Sequence, residues 1–256
     1  MERREPGMSE RVIMTAAIQK KLKTAQSEHV PVYIGASVGY GKTAVVHAFC
    51  KENDVVYLSG ENGALFNWNQ AKDIHANTVV IDDISWITDE DSRQLILGMI
   101  QDGQKNIIMM GRSKLPDWLQ YIGVQRNFVI ADERDLMLGM TAIEQLLDSR
   151  HISLPLNQIR QMHRDSGGYP LSLCLACGHL SSGRPYDDSV RNETVRDLYH
   201  YWDQRIFEQW PPYLQELLMG AANFESMSVE MGEFLTGSNQ IAAEIEYAMS
   251  IGNFLT

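Results

Sequence analysis

Residues 36–43 read Ala36-Ser37-Val38-Gly39-Tyr40-Gly41-Lys42-Thr43. They lie between a short apolar run, Val32-Tyr33-Ile34, and an apolar-periodic one carrying Val45, Val46, Ala48 and Phe49. A strand that delivers such a loop, and a helix that leaves it, point several backbone N–H groups into one concavity, and the helix N-terminus adds partial positive charge. The stretch therefore predicts a phosphate-binding loop contributed by Val38, Gly39, Tyr40, Gly41, Lys42, Thr43 and Ala44. Gly39 and Gly41 permit close backbone approach because neither carries a Cβ. Lys42 would reach the β- and γ-phosphates as a point charge, and the Thr43 hydroxyl would hold Mg²⁺ between them. Ala36 stands where G-x-x-x-x-G-K-[ST] has its first glycine, with Gly35 one place early. The flanking strand and helix supply the context the pattern needs.

Thr78-Val79-Val80-Ile81-Asp82-Asp83 is an apolar strand ending in two carboxylates, similar to a Walker B element. Ligands of open α/β sheets bind at the carboxyl ends of the strands, so Asp82 is placed to reach Mg²⁺ through water. Asp83 is placed to position or deprotonate an attacking water, in a reaction where positioning and charge neutralisation do most of the catalysis. Ile107-Ile108-Met109-Met110-Gly111-Arg112 is a further strand ending on a cation, and Arg112 at the same edge would sense or stabilise γ-phosphate charge. The expected catalytic set is thus Lys42, Asp83 and Arg112, and the expected metal set Thr43 and Asp82.

Val30–Ile34, Val55–Leu58, the Asp82 and Arg112 strands, and Phe128-Val129-Ile130 alternate with helical patterns. These patterns cover residues 9–28, the segment after the loop to about Cys50, and Leu65–Lys72. Thr88-x-x-Asp91 predicts a capping box for a helix closed by Gly103, and Pro116 starts a short one. Five strands with intervening helices predict an α/β fold with a parallel sheet covered on both faces through about residue 132. Beyond it the pattern is helical. Thr141-x-x-Glu144 caps a helix to Arg150, Leu156 to Asp165 forms another, and Pro170 opens a third after Ser166-Gly167-Gly168. A linker, residues 181–185, leads to a long helix on which Val195, Leu198, Tyr199, Trp202, Ile206 and Trp210 form a stripe expected to be core. Pro211-Pro212 breaks it, and two shorter helices follow.

The formal net charge of −11 argues against a broad nucleic-acid surface. No apolar run is long enough to span a membrane and no apolar signal core follows Met1-Glu2-Arg3-Arg4, so a soluble cytoplasmic protein is expected. Cys174-x-x-Cys177 lies in an apolar helical run with no second Cys/His pair to close a zinc site, and is read as packing.

Taken in order, Ala-x-x-Gly-Tyr-Gly-Lys-Thr at 36–43, Val-Ile-Asp-Asp at 80–83, Gly-Arg at 111–112, Gly-Tyr-Pro at 168–170 and Asn253-Phe254-Leu255 resemble the STAND class of signal-transducing P-loop ATPases, most of all the MalT-like large LuxR-type transcriptional regulators. The resemblance implies a P-loop NTPase domain at 1–132, a small helical domain at 133–185 and a winged-helix domain at 186–256 closing over ATP or ADP with Mg²⁺. It also implies that Pro170 packs near the adenine and that Arg112 senses phosphate. Serine at 37 and tyrosine at 169 depart from the proline and tryptophan common in that class, and no adenine contact is assigned before residue 35. Residues 251–256 resemble a first wing strand without its partner, so the expectation is an N-terminal fragment of a longer regulator or an unusually short relative.

The implied activity is a switch with slow ATP hydrolysis that resets ATP-driven self-association. An inducer or protein partner, and DNA, would be bound through regions outside this chain. The alternatives are a nucleotide-dependent binding module without significant hydrolysis and an AAA+-like turnover ATPase. A small-molecule kinase is disfavoured because no Arg-rich lid follows the fourth strand.

Overall fold

The computed structural model describes residues 12–50, 54–60, 76–112, 114–205, 207–224, 226, 228–237, 241 and 245. The expected helix Leu65–Lys72 and the expected wing strand fall outside them. The chain divides into two compact units, Met1–Thr194 and Val195–Thr256.

Five strands make the sheet of the first unit: β1 (Val32–Gly35), β2 (Val55–Ser59), β3 (Thr78–Asp82), β4 (Asn106–Gly111) and β5 (Val129–Ala131). All pairings are parallel and the order is β2-β3-β4-β1-β5. Side chains alternate across a strand, and here both faces are buried. Tyr33, Val79, Ile81, Ile107 and Met109 meet one helical layer, from α3 (Glu90–Asp102) and α4 (Asp117–Gln125), through Ile96, Ile100, Leu119 and Ile122. Val32, Ile34, Val80, Ile108 and Met110 meet the other, from α1 (Ala16–Glu28) and α2 (Lys42–Phe49), through Ile18, Leu22, Ala25, Val45 and Val46. The apolar runs read as strands are unbroken because their residues serve two cores.

Helix starts differ from the sequence reading in detail. The first helix opens at Ala16, with the Thr15 hydroxyl accepting from the Ile18 amide, and residues 12–15 are not helical. Asp89, not Thr88, caps α3, accepting from the Ser92 amide at 2.7 Å. The carboxylate one residue later meets the exposed N–H groups, and a capping box from Thr88 is not formed. After β5, α5 (Glu133–Leu136) carries a capping box from Asp132 and Asp135. Next, α6 (Met140–Ser149) starts at Gly139 without a side-chain cap, so Thr141 lies inside the helix.

With α7 (Leu156–Ser166) and α8 (Pro170–Leu180), α6 encloses Ile143, Leu147, Met162, Leu173 and Cys177, joined by Val190 of α9 (Asp188–Arg205). Cys177 is buried packing, and none of the three cysteines forms a disulfide among the described residues.

The expected aromatic stripe is a core face only in part: Leu198 and Trp202 are half-buried, and Ile206 lies outside the described residues. Val195 and Tyr199 are 45% and 64% exposed, whereas Val190 and Thr194 are buried. The helix ends at Arg205, so Trp210 lies outside it and packs with Leu214 and Leu217 of α10 (Pro212–Ala221). That second unit also contains α11 (Val229–Thr236), closed by Gly237 in the left-handed conformation. Among the described residues, no helix is long and apolar enough to cross a membrane.

Ile81 is fully buried in the central sheet. Ile81→Ala should cost about 2–5 kcal/mol in urea unfolding, while Tyr121→Ala, at a side chain 76% exposed, should stay within about 0.5 kcal/mol.

Candidate functional site

The parallel register sets the site. Gly35 of β1 is level with Gly111 of β4, and Met109 of β4 with Ile81 of β3. Three strand ends therefore leave the sheet at one edge, carrying the 36–43 loop, the Asp82-Asp83 pair and Arg112. Because β4 lies between β1 and β3, Arg112 is delivered between the loop and the carboxylates.

Within the loop, Gly39 and Gly41 have φ of 86° and 77°, a region where a side chain is strained. Lys42 is buried and its ammonium donates to the carbonyls of Ala36 at 2.5 Å and Ser37 at 3.0 Å. Burial is the largest influence on Lys42 and pushes its pKa down to about 8, against the attraction of Asp83 and Asp82. Thr43 Oγ1 donates to Asp82 Oδ2 at 2.8 Å, tying the first turn of α2 to the end of β3. Asp82 Oδ1 accepts the Asp83 amide at 2.9 Å. Asp83 itself has φ 49°, which an aspartate tolerates better than most residues. Its carboxylate Oδ1 accepts from Arg112 Nε at 3.2 Å, both side chains being 20% exposed.

The hydroxyl and carboxylate of Thr43 and Asp82 fit a Mg²⁺ site. That ion takes hard oxygen donors, usually one or two carboxylates alongside phosphates and water. Among the described residues no group of three or more His, Cys, Asp or Glu side chains is placed to hold a metal by itself.

Pro170 lines a mostly apolar cavity of about 190 Å³ that touches Tyr40, Gly41 and Ala44 of the loop and α2. Val12, Ile13 and Thr15 line it as well. The sequence assigned nothing before residue 35 because residues 12–15 carry no motif, and only the fold brings them here.

Further contacts of the loop escaped the sequence reading. The Tyr169 hydroxyl donates to the Val38 carbonyl at 2.8 Å, and the Leu171 amide to the Gly39 carbonyl at 3.1 Å. The Tyr169 ring lies 4.9 Å from that of Tyr40, and a Cβ on Gly39 would sit 2.0 Å from the Tyr169 hydroxyl. From the other side Glu133 accepts from the Ser37 amide at 3.0 Å and hydroxyl at 2.6 Å. The Tyr40 pKa is pushed up to about 12, by burial first and by the nearby Glu133 carboxylate next. The only sequence signal for Glu133 is its place just after β5.

No protein-family model matches this sequence, and no curated protein sequence matches it either. Solved structures do. A Walker-type ATPase of Pyrococcus abyssi aligns with a TM-score of 0.63 at 12% identity, over 98% of this chain and 93% of that one. Two variants of Thermotoga maritima RuvB align at 0.52 and 0.51, each at 14% identity, over 89% of this chain and 82% of theirs. The likeness shows the fold alone, a parallel α/β sheet flanked by helices that matches the P-loop NTPase fold, and it stops short of the STAND subclass.

Lys42 gives a prediction independent of any ligand. With its ordinary value of 10.5 lowered to about 8 in the fold, the buried charge opposes folding fully below pH ~8. That opposition fades as pH rises towards 10.5. In urea unfolding, wild type should therefore gain stability relative to Lys42→Met by up to about 3 kcal/mol between pH 8 and 10.5. A pH-independent difference would contradict the lowered value.

Proposed function

We propose that the chain is the nucleotide-binding switch of a signal-transducing ATPase, holding ATP or ADP with Mg²⁺ and hydrolysing ATP slowly. The observation that carries this reading is the Thr43–Asp82 hydrogen bond, which joins the phosphate loop to the carboxylate strand at a sheet edge that also carries Lys42 and Arg112. An isolated glycine turn before Lys-Thr would have no reason to meet the end of a second strand there. The fold shared with a Walker-type ATPase and with RuvB supports the same reading.

In this reading the loop amides and the α2 N-terminus take up phosphate, with Val38, Gly39, Tyr40, Gly41, Thr43 and Ala44 around it. Lys42 exchanges its bonds to the Ala36 and Ser37 carbonyls for the β- and γ-phosphates. Thr43 and, through water, Asp82 would hold Mg²⁺, which would supply neutralisation of phosphate charge. The cavity beside Pro170 receives the base, and its apolar wall suits a flat heterocycle. Arg112 contacts the γ-phosphate, which ADP lacks, and so supplies the difference in affinity a switch requires. Asp83 orients the attacking water once its carboxylate is free of Arg112.

The three-domain plan belongs to the proposal too. The helices between residues 133 and 185 form the small helical domain, and 186–256 a winged helix. An ATP form self-associates, and inducer, partner and DNA are bound elsewhere in a LuxR-type regulator. One observation favours a second reading, a nucleotide-dependent binding module without significant hydrolysis. The Asp83 carboxylate that would serve water is engaged by Arg112.

The test is to release and identify the nucleotide that co-purifies, then to compare the mass in solution with ADP and with a non-hydrolysable ATP analogue. Bound ADP on a monomer that associates with the analogue is the expected result. Absence of binding to either nucleotide would sink the assignment of Lys42 and Asp82. Lys42→Ala should weaken ATP binding at least about tenfold, the scale of one lost charge-assisted hydrogen bond. Single-turnover hydrolysis separates the two readings: loss of measurable turnover in Asp83→Asn supports the switch, and none in wild type supports the binding module.

A further inference from the structure

We infer that Glu133 is a positioning residue for the phosphate loop, clamping its first half so that the amides of its second half keep their ligand-facing geometry. The inference rests on the reading of the loop as a nucleotide site. One Glu133 oxygen accepts both the amide and the hydroxyl of Ser37, so one carboxylate holds the second residue of the loop by its backbone and by its side chain. Ala36, standing in place of the motif's first glycine, is 1% exposed, so the stretch just before Ser37 is fixed by packing.

Glu133 is itself held rigidly. It opens α5 directly behind β5, and β5 pairs with β1, the strand that feeds the loop. The Asp132 amide donates to Asp135 at 2.9 Å, closing the capping box, and Lys21 of α1 reaches Asp135 at 2.7 Å. The Thr15 hydroxyl donates to the Asp135 carbonyl. The short helix that carries Glu133 is thus tied to α1 and follows directly on β5, which gives the loop a fixed post to be set against. This position is also unfavourable for charge, since a bound polyphosphate would repel a carboxylate beside it. Glutamine keeps a carbonyl acceptor for Ser37 and removes the charge, so it separates positioning from repulsion.

The experiment measures ADP and ATP-analogue affinity for wild type, Glu133→Ala, Glu133→Gln and Ser37→Ala, with the thermal midpoint of each taken without nucleotide. Glu133→Ala should bind at least about tenfold more weakly, the scale of two lost hydrogen bonds to a charged acceptor. Glu133→Gln should return to within about threefold of wild type or bind more tightly. Ser37→Ala, which keeps its amide and its fold, should lose a few-fold, and adding it to Glu133→Ala should cost nothing further.

Three outcomes overturn the role of Glu133 while leaving the nucleotide site intact. These are Glu133→Ala binding as wild type does, Glu133→Gln binding as weakly as Glu133→Ala, and the Ser37 and Glu133 losses adding in full. If Glu133→Ala does not fold, the glutamine and Ser37→Ala results decide alone, and unchanged affinity in Ser37→Ala overturns it. Wild type binding neither nucleotide would remove the site reading itself.

Discussion

Everything at the site depends on the parallel alignment of β1, β4 and β3, which ends three chain segments at the same height. Register in a buried sheet is tightly specified, because a slip of one residue would exchange the faces of every side chain. Here both faces are apolar, so burial of Ile34 against α1 and α2, and of Met109 against α3 and α4, jointly fixes where Ala36, Asp82 and Arg112 emerge. The chemistry at the edge is thus placed by hydrophobic packing several residues away from it. Asp83 shows the cost of that placement. Its backbone turns into the left-handed region immediately after the strand, and its carbonyl leaves no room for a Cβ on Gly60, which would lie 2.4 Å away.

Most of this edge was legible in the sequence because each part sits at the end of an apolar run. Val32-Tyr33-Ile34, Val79-Val80-Ile81 and Ile107–Met110 read as buried strands from composition alone, and the polar residue that follows each is a landmark. What followed them was less legible. The helix caps were misplaced by a residue or absent, since Asp89 and Thr88 offer similar oxygen acceptors and only the backbone geometry selects between them. The stripe on α9 held only in part, for a different reason. Helical spacing shows that side chains share a face, but not that anything covers it, and Val195 and Tyr199 stand exposed.

Glu133 and Tyr169 were not legible as loop partners, because their contacts are separated by about a hundred residues or more. Strand order decides the first: β5 is fifth in sequence yet lies beside β1, so its following residue meets the loop. The second depends on the turn at Gly167-Gly168, both in the left-handed region, which brings Tyr169 back over the loop as α8 begins.

These contacts give the loop two clamps of opposite kind. Glu133 takes an N–H and a hydroxyl from residue 37, whereas Tyr169 and Leu171 give hydrogen bonds to the carbonyls of residues 38 and 39. Carbonyls turned away from the concavity leave the next N–H groups free to face into it, so donation from the Tyr169 turn favours the geometry an anion needs. The same turn carries Pro170 to the wall of the apolar cavity. A ligand filling both the loop and that cavity would therefore press on a single short segment at the start of α8. The loop and the apolar cavity thus meet the helical part of the chain at one place, through two hydrogen bonds from Tyr169 and Leu171 and through the wall formed by Pro170.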